Sequence, residues 1–525
     1  MFPARVCLLS VLVLTVLAEI VDNAQVVLSF EKPGELPDLV EAGIWLEEDG
    51  PESSGVLCCG LLNHTFPSDV FFRDSAEYQS QQASYYSLEQ ADINPACRVS
   101  PTSAVNVAAI VARATRYGCA FAVRSGGHMI SKGFSNIDAS GFTIDLQRMN
   151  DVSVLEEGRL VSFDSGCRWY QVYSALKPYN LTTVGGRVPD VGVAGFLLGG
   201  GISVLSLAHG FGSSNIVNYQ VVLADGTIND VNEKNLPDLY WALKYGSTNF
   251  GIVTRFDMTT YPLADVWGGS LIFDISQGPA LLQAHVDFAA KLDSDPMGLN
   301  VIAFAWDPRQ QTYIIWSPNI YLSDAAFPPL YSDIEALVPN ALLNTMRITD
   351  LMSITNEFQA TAPGTGRVQW FTLTLKTDAA LLWDIHRKGV EIFEPYLNRT
   401  GFSPATIFQP LNRGFAAAGE KNGGNPSGIL TEDGDLIVAL GMALWDDRAD
   451  DEILKEKVHE HWKWSERTAR ERGLLHPFIY MNYASSLQDV MGGLGAENLA
   501  KMRKIKDQYD PEDRFGRYWK GGFKL

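Results

Sequence analysis

The run Gly185-Gly186-Arg187-Val188-Pro189-Asp190-Val191-Gly192-Val193-Ala194-Gly195-Phe196-Leu197-Leu198-Gly199-Gly200-Gly201 places seven glycines in seventeen residues. Glycine loses more conformational freedom on folding than any other residue, so this density is costly unless the backbone must come close to something. The run therefore predicts a segment that approaches a flat or phosphorylated ligand, with N–H groups free to donate. A second stretch, Arg124-Ser125-Gly126-Gly127-His128, follows the apolar residues Phe121-Ala122-Val123 and ends on a histidine. A short strand running into a two-glycine turn can project that ring. Both stretches read as walls of one site for a large cofactor, with His128 bonded to it.

Length and charge narrow the setting. A chain of 525 residues exceeds one ordinary core and predicts two or three domains. With 46% hydrophobic and 19% charged residues the composition is that of a packed enzyme. The net charge of −20 argues against a nucleic-acid partner, which needs a basic face. Arg5 followed by an apolar run from Val6 to Ala18 predicts a secretory signal over residues 1–18, too short to span a bilayer. The mature protein is then expected to be secreted and without a membrane segment. Cys58, Cys59, Cys97, Cys119 and Cys167 remain, with no Cys-x-x-Cys pair, so a disulfide is plausible and at least one thiol stays free. Asn63, Asn180 and Asn398 head glycosylation sequons.

Periodicity gives the layout. Residues 19–57 read as an acidic lead-in. Val107, Ile110, Val111 and Ala114 fall on one helical face within Ser103–Arg116. Phe142–Leu146 reads as a strand. Val152–Leu155 with Leu160–Phe163, and Tyr219–Ala224 with Thr227–Val231 across Asp225-Gly226, read as hairpins. Trp169, Val172, Tyr173 and Leu176 form a second helical stripe, and Asp238–Leu243 a short helix. The texture changes near Pro262. Beyond it, strands at Leu271–Phe273, Asn300–Ala305, Thr312–Trp316, Trp370–Leu375 and Leu436–Ala443 mix with helices at Gly278–Leu292, Ala379–Tyr396 and Ile453–Arg470. This predicts the α+β class, with an antiparallel sheet covered by helices. Ala496–Tyr509 is a charged helix stopped by Pro511.

Other chemistries lack their residues. No phosphate loop, no Gly-x-Gly-x-x-Gly and no Gly-x-Ser-x-Gly occurs. His459-Glu460-His461 has the wrong spacing for a helical metal pair and reads as a solvated helix face; no metal is expected.

Taken together, several motifs resemble the berberine-bridge-enzyme-like FAD-linked oxidases, including fungal ones, of the vanillyl-alcohol-oxidase and p-cresol-methylhydroxylase (PCMH) superfamily. They are Asn94-Pro95-Ala96-Cys97, the Arg124–His128 turn, Gly192-Val193-Ala194-Gly195 with Gly199-Gly200-Gly201, Val222–Gly226, Asp238–Leu243, Asn249–Thr254, Tyr480–Tyr483, and Lys506–Phe515. The match is detailed over about residues 58–262 and 475–525 and general between them.

The resemblance implies a two-domain PCMH-type fold. Residues 58–262 would bind FAD, residues 263–474 would shape the substrate site, and residues 475–525 would return to the FAD domain. It implies a covalent bond from a ring nitrogen of His128 to the flavin 8α carbon. Many relatives carry a second link through a cysteine where this chain has Val188, so a single attachment is expected. Arg124, Ser125, Gly126, Gly127, Val191, Gly192, Gly195, Gly199, Gly200, Gly201, Val253 and Asn482 are expected to line the cofactor. Tyr483 is expected to be the catalytic base, which requires a neighbouring cation or hydrogen bonds. Valine at 191 implies access for molecular oxygen, giving an oxidase that makes hydrogen peroxide. The small-molecule substrate is either a sugar or a specialised metabolite. A dehydrogenase, or a flavoprotein that binds without turnover, is the alternative. Cys119 is implied to pair with Cys58 or Cys59, and Cys167 to be a buried thiol.

Overall fold

A computed structural model of the protein describes residues 50–361 and 365–525. The predicted signal, and the lead-in up to residue 49, lie outside the described residues. Helix α1 (Gly50–Thr65) begins inside the expected lead-in of residues 19–57, so the last part of that lead-in is helical. It buries Cys58, Cys59, Leu61 and Leu62. Cys58 bonds Cys119 and Cys59 bonds Cys97, while Cys167 stays a buried free thiol whose pKa burial raises to about 12. The sequence left the partner of Cys119 open, and the second bridge had no signal of its own. Separations of 61 and 38 residues correspond to about 4 kcal/mol each in chain-entropy terms.

These bridges tie α1 to a four-stranded sheet. Its order is β1 (Val70–Phe72), β2 (Cys97–Val99), β4 (Gly141–Asp145), β3 (Ala120–Arg124). Strands β2, β3 and β4 run parallel. Helix α2 (Ala104–Arg116) makes the crossover, with the Ser103 side chain capping its first turn and the four predicted apolar residues buried. In α/β units ligands sit beyond the carboxyl ends of parallel strands, and β3 delivers the Ser-Gly-Gly-His turn at that end.

A five-stranded antiparallel sheet follows, built from the two predicted hairpins and a strand between them. Its order is β5 (Val152–Leu155), β6 (Leu160–Asp164), β9 (Ile252–Thr259), β7 (Ile216–Val222), β8 (Ile228–Val231). Helix α3 (Trp169–Leu176) buries all four residues of its predicted stripe. Helix α4 (Val193–Leu198) lies inside the glycine run.

Residues beyond Pro262 build an antiparallel ten-stranded sheet. Its centre runs β10 (Asp265–Asp274), β12 (Thr312–Tyr321), β11 (Ile302–Asp307), β14 (Ser403–Leu411), β15 (Leu436–Trp445), β13 (Arg367–Lys376). The two-residue period separates its faces. Ile315, Phe408 and Ala439 pack in the core with residues of helices α5 (Gly278–Lys291), α6 (Ala379–Phe393) and α7 (Asp451–Glu471). Their neighbours Trp316, Ile407 and Leu440 line a cavity. Strand β14 was not foreseen. Pro404 and Pro410 argue against a central strand, yet they sit towards its two ends between β11 and β15. Helix Leu351–Thr361 was likewise not foreseen.

The reading of His459-Glu460-His461 as a solvated face needs correction. His461 is buried, its ring edge-on to Phe371 and Phe393 and bonded to the Ile385 carbonyl. The 3.6-residue period carries Leu454, Val458, His461 and Trp462 onto the sheet side. No group of His, Cys, Asp or Glu among the described residues could hold a metal.

His461 joins two other buried histidines, and a pH dependence follows. Burial pushes His285 and His461 down to about 4 and His386 to about 3, from an ordinary 6.5. The unfolded chain then binds protons the folded chain refuses between about pH 6.5 and 4. Stability is therefore present above pH 6.5 and is lost as pH falls through that window. The full effect is on the order of 3 kcal/mol per histidine. Thermal denaturation at pH 7 and pH 5 is expected to show a clear fall in Tm at pH 5, reduced by His386→Phe.

Candidate functional site

The turn after β3 is held from below. Ser125 donates from Oγ to the Ser165 carbonyl, and the Ser165 hydroxyl donates in turn to the Val253 carbonyl at the start of β9. Gly127 takes a φ of +69°, which turns the chain sharply, and its carbonyl accepts from the Tyr86 N–H. The N–H groups of Gly126, Gly127 and His128 make no hydrogen bond to any described residue. Successive free N–H groups in such a turn form an anion-binding concavity. The half-buried His128 ring stacks on Tyr86, centroids 4.0 Å apart and planes 13° from parallel. Loss of water and the nearby Arg168 push its pKa down to about 4, so the ring is neutral and keeps a lone pair at neutral pH.

The glycines of the long run have separate duties. Gly126 and Gly192 lie back to back, so that a Cβ on either would sit 2.4–2.6 Å from backbone atoms of the other. This contact joins the two stretches that the sequence placed at one site. A Cβ on Gly199 would meet Asn482 Oδ1 at 2.1 Å, and Asn482 Nδ2 donates to the Phe196 carbonyl, pinning the C-terminal segment onto α4. Gly185 and Gly186 lie against the Trp169 indole. Gly195 alone of the seven has open space where a Cβ would be.

These elements enclose a cavity of about 670 Å³, within the range of about 300–1,000 Å³ that small-molecule sites occupy. Ser125, Gly126, Gly127, His128, Val191, Gly192, Gly195, Gly199, Val253, Asn482 and Tyr483 all line it. Three expected residues do not. Gly200 and Gly201 pack against Phe211, Tyr245 and Phe196. Arg124 is wholly buried behind the turn, where it pairs with Asp145 at 2.9 Å and donates to the Gln81 and Ser84 carbonyls. Arg98 contacts the same carboxylate at 3.5 Å, so two guanidiniums face one carboxylate behind the turn. The excess positive charge in a low-dielectric interior favours an anion at the free N–H groups.

The other end of the cavity is apolar. Leu299, Val301, Trp316, Ile407, Leu440 and Met442 come from the large sheet. There Trp370 meets Tyr483 edge-on, centroids 5.8 Å apart, and also contacts Tyr86. Tyr86 and Trp370 thus bridge the rings of His128 and Tyr483. The Tyr483 hydroxyl accepts a 2.6 Å hydrogen bond from Arg187 Nη2. Arg187 is the residue that sequence reasoning missed. It lay in the quoted run, but only the fold brings it to a tyrosine 296 positions away.

Free turn amides backed by buried cations, a glycine open to the cavity and an apolar chamber together fit a dinucleotide bearing a flat ring system. A family model described as an FAD binding domain matches residues 95–232. The chain is 34% identical to the FAD-dependent monooxygenase drtC of Aspergillus calidoustus, over 89% of this chain and 90% of that protein. It is 36% identical to the FAD-dependent monooxygenase FUP4 of Fusarium proliferatum, over 84% and 87%. Among solved structures, 6-hydroxy-D-nicotine oxidase of Arthrobacter nicotinovorans has the same fold, with a TM-score of 0.71 at 20% identity over 86% of this chain and 97% of that one. The Physcomitrella patens BBE-like 1 protein does too, with a TM-score of 0.69 at 19% identity over 87% and 97%. The chain therefore belongs to the family of these fungal FAD-dependent oxidoreductases, and it shares its fold with a berberine-bridge-enzyme-like protein.

Proposed function

We propose that this protein is a secreted FAD-linked oxidase that takes a hydride from a C–H bond bearing an O–H or N–H, on a largely apolar specialised metabolite. The carrying observation is that Tyr483, hydrogen-bonded to a guanidinium, shares with His128 a cavity whose far wall is apolar. A sugar oxidase needs polar side chains to pair each hydroxyl. Of the wall residues from Leu299 to Met442, only Gln359 and Thr365 are polar apart from the indole N–H groups.

FAD, when bound, supplies a two-electron acceptor that dioxygen can reoxidise with release of hydrogen peroxide. The residues do the rest. The amides of Gly126, Gly127 and His128 would hold its diphosphate. His128, neutral in this setting, would make the one covalent link to the flavin 8α carbon, and Val188 on the cavity wall offers no thiol for another. Tyr483 removes the proton from the substrate O–H or N–H. Apolar walls exclude water, and the small Val191 leaves room for oxygen. The two bridged cysteine pairs and the exposed Asn180 and Asn398 sequons support secretion and glycosylation.

Anaerobic protein is expected to bleach with 2-naphthylmethanol or cinnamyl alcohol and not with glucose or cellobiose. In air, one hydrogen peroxide should form per alcohol oxidised, with no labelled oxygen entering the product. Bleaching by the sugars alone would overturn the apolar-substrate reading. Label incorporation would replace the oxidase with a monooxygenase, the activity that the names of the fungal relatives state.

A further inference from the structure

We propose that Arg187 is the positioning residue that holds Tyr483 ready to accept the substrate proton; this deepens the reading above and rests on it. The half-buried guanidinium donates to the Tyr483 oxygen at 2.6 Å, and no carboxylate among the described residues pairs with it. Its charge is therefore committed to the phenol. A fixed cation at an oxygen that must carry negative charge stabilises the charge where it forms, and apolar surroundings strengthen the effect. Held as the phenolate, Tyr483 would take the O–H or N–H proton and become the neutral phenol, while bound FAD would supply the two-electron acceptor for the hydride leaving carbon, so protons and electrons balance.

The surrounding contacts aim this one side chain. Gly185 and Gly186 lie flat on Trp169, where a Cβ on either would come within 2.5 Å of the indole. The Tyr173 hydroxyl donates to the Gly186 carbonyl at 2.8 Å. The backbone immediately before Arg187 is therefore clamped. On the other side, Tyr483 is fixed by Trp370 and by Tyr480, whose ring is 4.9 Å away and nearly perpendicular. The neighbouring phenols do not compete for the charge. Burial holds Tyr480 far above the ordinary tyrosine range and Tyr86 at about 12. Tyr480 instead accepts from the Ile202 N–H and from Asn482. Arg187, Tyr480 and Tyr86 are the ionisable side chains of the glycine run, the C-terminal segment and the N-terminal domain that pack around Tyr483.

The test uses the flavin-loaded protein and needs no substrate for its first readout. The ultraviolet tyrosinate signal that disappears in Tyr483→Phe is titrated in the wild type, Arg187→Lys and Arg187→Gln. In Arg187→Gln it is expected to move to higher pH by about one unit or more, and in Arg187→Lys to stay near the wild type. Flavin content is expected to be unchanged in all three. With 2-naphthylmethanol, kcat is expected to fall about 100-fold in Arg187→Gln with little change in KM, and Arg187→Gln with Tyr483→Phe to be no slower than Tyr483→Phe alone. A titration that does not move in Arg187→Gln, or additive losses in the double variant, would overturn the proposal. Full turnover in Tyr483→Phe would instead remove the base assignment and leave the titration result standing on its own.

Discussion

Tyr483→Phe is expected to lower the rate of flavin reduction by about 10³-fold while leaving the protein folded and yellow. The hydroxyl is the only polar atom of that side chain, and Arg187 is the only described partner of its hydrogen bond. Phenylalanine keeps the edge-on contacts with Trp370 and Tyr480. The loss should fall on the chemical step rather than on substrate binding, because the apolar wall that would receive the substrate is untouched. Stopped-flow reduction over a range of 2-naphthylmethanol concentrations checks this. A loss confined to apparent affinity would place the tyrosine in binding only.

Gly192→Val is expected to yield protein without flavin. The first carbon added at 192 would stand 2.4 Å from the Gly126 amide nitrogen, and neither backbone can give way, since Ser125 is tied to Ser165 and the Gly127 carbonyl to Tyr86. The wedge would displace the turn that carries His128. Gly195→Ala is the matched control. Nothing lies within 4 Å of its added carbon, so the fold should persist and only cofactor contact should suffer. Flavin absorbance relative to protein, with circular dichroism for folding, separates the two. Normal flavin content in Gly192→Val would show that the two stretches need not touch.

Much of this was legible in the chain because it depends on local physics. The stripes of α2 and α3 and the two hairpins followed from periodicity and from Asp225-Gly226. The pairing of the Arg124–His128 turn with the glycine run followed from their shared composition. What escaped has a long-range cause. Arg124 looks like a phosphate ligand beside a glycine turn, but Asp145 on the neighbouring strand draws it inward. Gly200 and Gly201 belong to the same run as Gly199, yet aromatic rings claim their free sides. His461 shares a charged tripeptide with Glu460, which hid the helical period it keeps with Leu454, Val458 and Trp462 on the inward face of α7. Arg187 meets Tyr483 only because the C-terminal segment returns onto the glycine run.

The central claim is that His128 carries the cofactor. The most direct measurement is peptide mapping by mass spectrometry of active, acid-precipitated protein. The account predicts a yellow pellet and one flavin adduct, on the peptide containing His128, lost in His128→Ala. An active preparation whose flavin all stays in the acid supernatant, with the His128 peptide at its unmodified mass, would contradict it.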